Sequence, residues 1–309
     1  MSETIVVARG GSRRPPVHRV PPHAYFLVSA VFHYLGPAFA VLLFARIDVL
    51  GVAWLRITVA AVIFAVWRRP WRRWSGLDRA ARRLLLAWGV VLAAMNSVFY
   101  VALDRLPLGT VAAVEFVPVL LLAAYAVRSR RNAAALALAG FGVWLLTDVR
   151  LVAEPVGMAC AAANAALFAA YITLAHRASR QPELSGLDAL GSAMVVAAVV
   201  AAPVGVGYAL PAFVDPVALA AAVGVAVCSS VIPYVFDQLA MARLARGTYA
   251  LMTSLLPATA AVIGFFVLRQ RPTVGEAVGV LLVVAAVATH RPPGSPRESS
   301  RRSRADGRD

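Results

Sequence analysis

Apolar residues run along this chain in long blocks, and polar residues gather in the short gaps between them. The blocks fall near 24–45, 49–67, 84–103, 108–127, 133–147, 155–176, 187–208, 217–240, 248–268 and 273–290. A hydrocarbon core about 30 Å thick needs about 20 apolar residues in a helix that rises about 1.5 Å per residue. One such block is also what a buried helix of a water-soluble domain looks like. Ten in succession leave no polar surface to face water. The pattern therefore predicts an all-α integral membrane protein with ten transmembrane helices. Composition agrees: 61% of residues are hydrophobic and the mean hydropathy is +0.75, far above a soluble domain.

Charge adds an orientation. The chain has no lysine, so its 30 basic residues are all arginine. Of these, 24 fall in the N-terminal arm, in the gaps after the second, fourth, sixth and eighth blocks, and in the C-terminal tail. Only Arg46, Arg105, Arg150, Arg269 and Arg271 fall in the alternate gaps, and Arg56 lies inside the second block. Arginine-rich short loops stay on the cytoplasmic side, so both termini are expected in the cytoplasm of a cell whose inner membrane holds the protein. The net charge of +15 reads as loop arginines beside anionic lipid headgroups, not as a nucleic-acid surface. The sequence divides into a basic cytoplasmic arm at 1–23, a first five-helix unit at 24–147, a second at 155–290, and a disordered basic tail at 291–309.

The two units share a signature. Arg105-Leu106-Pro107-Leu108-Gly109-Thr110 and Arg243-Leu244-Ala245-Arg246-Gly247-Thr248 both read Arg-Leu-x-x-Gly-Thr, 138 residues apart, and each is followed by a proline within the next block, Pro118 and Pro257. Five spans per unit reverse the direction of the second copy across the membrane. Inverted-topology repeats with a site at their interface are a recurrent plan among secondary transporters.

Charged side chains inside a membrane face a cavity or a partner, because the bilayer centre costs them about 2.5–3.5 kcal/mol on insertion scales. Glu115 is read as the one acid well inside a block and Arg56 as the one arginine; Asn96 is the strongest neutral polar group of the first unit. Counted from the block ends, all three lie about 10 Å below the same edge. One reading is a permanent Arg56–Glu115 ion pair with Asn96 beside it. The other is a site for an amphoteric solute: Arg56 holds a carboxylate, and Glu115 holds an ammonium or exchanges a proton. Asn96 and Tyr100 would orient the solute, and Ser229, Ser230 and Tyr234 would close the site from the second unit. Ser229-Ser230 precede Pro233, and a proline in a helix leaves a backbone carbonyl unpaired. Asn164 and Tyr171 are further neutral candidates. Trp54, Trp67, Trp71 and Trp74 read as interfacial anchors, and Cys160 and Cys228 as small packing residues. No phosphate loop, paired catalytic acids or clustered metal ligands are present in the sequence, so neither an enzyme nor a cofactor is expected, and gradients must power any transport.

Several segments resemble the EamA-type drug/metabolite transporters, nearest to their bacterial threonine/homoserine exporter branch. They are Ala53-Trp54-Leu55-Arg56, Met95-Asn96-Ser97-Val98-Phe99-Tyr100, Leu106-Pro107-Leu108-Gly109, Val114-Glu115-Phe116, Ser229-Ser230-Val231-Ile232-Pro233-Tyr234 and Ser254-Leu255-Leu256-Pro257-Ala258. The resemblance implies ten helices in two inverted five-helix repeats and export of amino acids or related metabolites coupled to protons; a monomer or homodimer is expected. The chain departs from the family where Leu256 precedes Pro257 in place of a glutamate, and where Arg269-Gln270 replaces Gly-Glu. Glu115 is thereby left as the main coupling candidate. A membrane scaffold or sensor, and a flippase for lipid-linked substrates with a lateral apolar groove, are the alternatives.

Overall fold

Several of the helices start at a proline or a capping aspartate. In the computed structural model, which describes residues 21–125, 130–147, 154–178, 181, 184, 186–241, 243–244, 252, 255–271 and 273–289, Pro22 opens α1 (Pro22–Leu43). The Asp48 carboxylate accepts the Leu50 N–H at 2.9 Å and caps α2 (Val49–Arg68). Asp78 accepts the Ala81 N–H at 2.6 Å and caps α3 (Arg79–Arg105). A carboxylate at this position satisfies donors that the first turn otherwise leaves unpaired. α4 (Leu108–Tyr125), α5 (Arg130–Thr147), α6 (Pro155–Ala178) and α7 (Gly186–Val214) follow. α8 is built of Pro216–Ala226, a π-helical turn at Val227–Val231, and Ile232–Met241. Asp215 caps it by accepting from Val217 and Ala218 at 3.0 and 3.1 Å. α9 (Leu255–Leu268) and α10 (Val274–Thr289) complete the order. Among the described residues there is no strand.

Among the described residues, six helices are long and apolar enough to cross a membrane: α1, α2, α3, α6, α7 and the Pro216–Asp237 stretch of α8. The largest shifts from the sequence expectation among the described residues are in α3 and α7. α3 begins at Arg79 rather than at 84, because the Asp78 cap carries the helix back through a basic turn. α7 continues to Val214 through Pro203 and Pro211. The described part of the ninth block starts a helix at Leu255; residues 248–251 and 253–254 lie outside the described residues, as do Ala245–Thr248 of the second turn signature, most of the N-terminal arm and the tail.

Small residues set which helices meet. Along α7, Ala189, Ala193, Ala197, Ala201, Gly205 and Ala209 recur every four residues and are buried, so they line one face. α2 packs along that face, as small-residue stripes permit in lipid. A Cβ at Gly51 of α2 would stand 2.5 Å from the Tyr208 carbonyl oxygen. Trp54 belongs to this seam rather than to the membrane interface: its ring lies over Gly205 and its Nε1 donates to the Ala198 carbonyl at 3.1 Å. Trp67 and Trp71 are exposed. α3 packs on α6 and α7, α8 on α1, α2 and α7, α9 on α1, α4 and α10, α4 on α5 and α6, α2 on α3, and α5 on α10. Ion pairs stand at both ends of the α2–α7 seam, Arg68–Asp188 at 2.6 Å and Arg46–Asp215 at 2.9 Å.

Candidate functional site

Pro233 shapes the centre of the molecule. It has no N–H, so the carbonyl four residues earlier, that of Ser229, loses its helical donor. The chain answers with a π turn in which the Ile232 N–H reaches the Val227 carbonyl instead. Wider turns of this kind recur at functional sites. Here the turn presents the Ser229 carbonyl and the Ser230 hydroxyl, both buried, to α2.

Arg56 takes both. Its Nη2 donates to the Ser229 carbonyl at 3.0 Å and its Nε to Ser230 Oγ at 2.9 Å. The guanidinium carbon lies 5.4 Å from the centre of the Tyr100 ring, within cation–π range. Tyr100 itself is wholly buried, and its ring meets Phe44 edge-on at 5.9 Å. Its hydroxyl has no hydrogen-bond partner among the described residues.

Glu115 is 4% exposed on α4. Its Oε1 accepts from Asn164 Nδ2 of α6 at 3.1 Å, while its Oε2 and Asn164 Oδ1 have no partner among the described residues. The sequence reading of a permanent Arg56–Glu115 ion pair is thus corrected. The arginine is held by α8 and the carboxylate by α6, although the two lie close enough to interact electrostatically. The physical reason is the π turn, which offers the guanidinium a carbonyl and a hydroxyl at shorter reach.

Asn96 is buried one turn before Tyr100 on α3, and its Nδ2 donates to the Leu92 carbonyl of its own helix at 2.8 Å. Its oxygen and its second amide hydrogen are left to face a neighbour. Tyr234, 5% exposed, stacks on Tyr171 with ring centres 6.3 Å apart and lies near Arg56 and Glu115. Tyr171 stacks in turn on Phe168 at 6.1 Å, and Phe168 meets Phe116 at 6.3 Å. The cluster therefore has a polar heart and an aromatic wall.

Two residues were missed in the sequence. Tyr34 of α1 is wholly buried, its hydroxyl has no partner among the described residues, and it lies near Glu115. Asp237 is a second acid within a membrane block; its Oδ1 accepts from Ser29 Oγ at 2.6 Å. A tyrosine in an apolar block gives no signal of which way it points. Asp237 was legible as an acid four residues after Pro233. Buried polar atoms are nearly always paired in folded proteins. Tyr34 Oη, Tyr100 Oη, Glu115 Oε2 and Asn164 Oδ1 are exceptions gathered around one charged pair of opposite sign, the chemistry that receives a polar solute. Among the described residues no group of His, Cys, Asp or Glu side chains has metal-binding geometry.

Known proteins carry the same arrangement of sequence. Residues 155–289 match the EamA-like transporter family. Over 281 residues the chain is 30% identical to the threonine/homoserine exporter RhtA of Escherichia coli strain K12, covering 90% of this chain and 92% of that one. The RhtA protein of Salmonella typhimurium strain LT2 is 29% identical over 280 residues, with the same coverage. One solved crystal structure shares the fold with a TM-score of 0.58 at 16% identity, covering 86% of this chain and 96% of its own.

Proposed function

Because this chain belongs to the EamA-like transporter family, we propose that it exports amino acids or similar small amphoteric metabolites across the inner membrane by exchange with protons. The observation that carries this reading is the separation of Arg56 from Glu115. Each charge is buried, each is held by neutral groups, and neither is neutralised by the other. A zwitterion brings one complement to each. Its carboxylate replaces the Ser229 and Ser230 oxygens on the guanidinium fork, and its ammonium meets Glu115. With Glu115 protonated the ammonium is released, which couples solute to proton.

The proposal includes ten spans in two inverted units, with both termini cytoplasmic. Support comes from the packing. Exchanging α1–α5 with α6–α10 turns α3–α6 contact into α8–α1, α3–α7 into α8–α2, α4–α6 into α9–α1, and α4–α5 into α9–α10. It leaves α2–α7, α4–α9 and α5–α10 unchanged. Every pair so generated is packed. Alternating access would then rock the units about the shared seams.

Glu115→Gln tests the coupling. The Gln amide keeps the Asn164 bond and gains a donor for Asn164 Oδ1, so the variant is expected to insert and fold. Wild-type protein in proteoliposomes preloaded with labelled threonine or homoserine should show saturable efflux that a proton gradient accelerates. The variant should lose the acceleration. Gradient-driven efflux at the wild-type rate in Glu115→Gln removes Glu115 from the mechanism.

A further inference from the structure

A second feature lies away from the central cluster. An apolar groove of about 390 Å³ runs between α1 and α8. Its walls are Phe39 and Leu42 of α1 and Val217, Ala221 and Cys228 of α8, and Arg46 stands at its mouth. From Val217 to Cys228 the helix rises about 16 Å, half of a hydrocarbon core of about 30 Å. The groove therefore has the depth of one leaflet. It opens at the membrane edge where α1 ends and α8 begins.

Both signs of charge stand at that edge. Arg46 Nη1 meets Asp215 Oδ2 at 2.9 Å. Asp215 Oδ1 is taken by the Val217 and Ala218 N–H groups, so Oδ2, which already accepts from Arg46, is the oxygen that a second cation would share, and the side chain is a third exposed. The Arg46 side chain is half exposed and keeps further donors. A headgroup with a phosphate next to a primary ammonium matches this pair, phosphate on Arg46 and ammonium on Asp215. A headgroup with a phosphate alone competes with Asp215 for Arg46 and brings no cation to replace it.

We propose that this groove is a binding site for a single phospholipid of the phosphatidylethanolamine type, one acyl chain lying between α1 and α8 and the zwitterionic headgroup on Arg46 and Asp215. Its inner end has functional neighbours. Cys228 adjoins Ser229, and Val225, which also lines the groove, gives its carbonyl to Ser229 Oγ at 2.5 Å. The acyl chain thus packs against the turn that holds Arg56. This separates the groove from a transport path for lipid: Arg56, Glu115 and Tyr100 do not line it.

Gly224 supplies the test, because a side chain added there meets nothing within 4 Å and projects into open space. The probe is phosphatidylethanolamine with a photoreactive diazirine in one acyl chain, in nanodiscs holding the full-length protein. Labelling should concentrate on 39–43 and 221–228. Unlabelled phosphatidylethanolamine should compete several-fold better than phosphatidylglycerol. Gly224→Leu should reduce labelling there several-fold while labelling at outward residues such as Val199 and Phe266 is unchanged. Asp215→Asn should abolish the headgroup preference. Labelling spread evenly over the lipid-facing residues, labelling insensitive to Gly224→Leu, or Cys228–Cys228 cross-links between two copies in place of lipid adducts would each overturn the proposal. The central reading is tested apart from this one: Arg56→Lys should raise the apparent KM for efflux tenfold or more and leave lipid labelling intact.

Discussion

Arg56 is positioned by geometry that only a guanidinium satisfies. Nε and Nη2 point in fixed directions at two oxygens on one π turn, and the planar face lies over Tyr100. Lysine is a point charge without that fork. Arg56→Lys keeps the charge but leaves either the Ser229 carbonyl or the Ser230 hydroxyl unpaired, a cost of about 1–3 kcal/mol for a buried group. We expect a folded protein with a lower melting temperature and an apparent KM for labelled threonine raised tenfold or more, about 1.4 kcal/mol at the least. An unchanged KM would remove the guanidinium from solute binding. The two charged residues were legible in the sequence because an ionised group in an apolar block always needs a reason. Their partners were legible only in part. Pro233 announced the freed Ser229 carbonyl. Nothing announced that Asn164, rather than Asn96, would meet Glu115. That choice depends on the rotation of α4 and α6, and helices apolar on every side carry no stripe that fixes rotation.

At the scale of elements, lengths and caps were readable and close approaches were not. Asp48 and Asp215 each stand just before an apolar block and cap it, whereas Asp78 caps a basic turn ahead of its block and so starts that helix earlier than the apolar pattern does. The contact of α1 with α8 has no such mark, because it hangs on the absence of a side chain. A Cβ at Gly36 would clash with Cα and Cβ of Ser229, in the middle of the π turn. Backbone lies on one side of that clash, so relief must come from displacing α1 or the turn. Gly36→Ala should thus act at a distance on Arg56. The expected outcome is a melting temperature lowered by the equivalent of about 1–3 kcal/mol of overpacking, together with an increased KM. Gly224→Ala is the control, since its added methyl meets nothing. If Gly36→Ala behaves like Gly224→Ala, the turn is not held by close packing.

Across the whole molecule, the α2–α7 seam is closed at both ends by charge, and the two closures differ in kind. Arg68–Asp188 is mostly buried on its acid side, whereas Arg46–Asp215 is open to water. Asp215 lies outside the spans, between α7 and α8. Its carboxyl is held below the ordinary aspartate range, first by the Ala218 N–H at the start of α8 and then by Arg46. A carboxyl with a depressed folded pKa stabilises the fold above its unfolded value, about 3.9, and that contribution fades as pH falls through the folded value. The same proton would undo the cap of α8 and its tie to the turn between α1 and α2. The expected record is a melting temperature for wild type above that of Asp215→Asn at neutral pH, by a small margin because the site is exposed and screened. The margin should hold down to about pH 4 and close below it. It should also narrow at high salt, while the part owed to the Ala218 and Val217 N–H bonds persists. A margin that stays constant from pH 7 to pH 3 would mean that the carboxylate charge contributes nothing to tying the start of α8 to the turn between α1 and α2. The packing of α2 on α7 would then have to join them there without it.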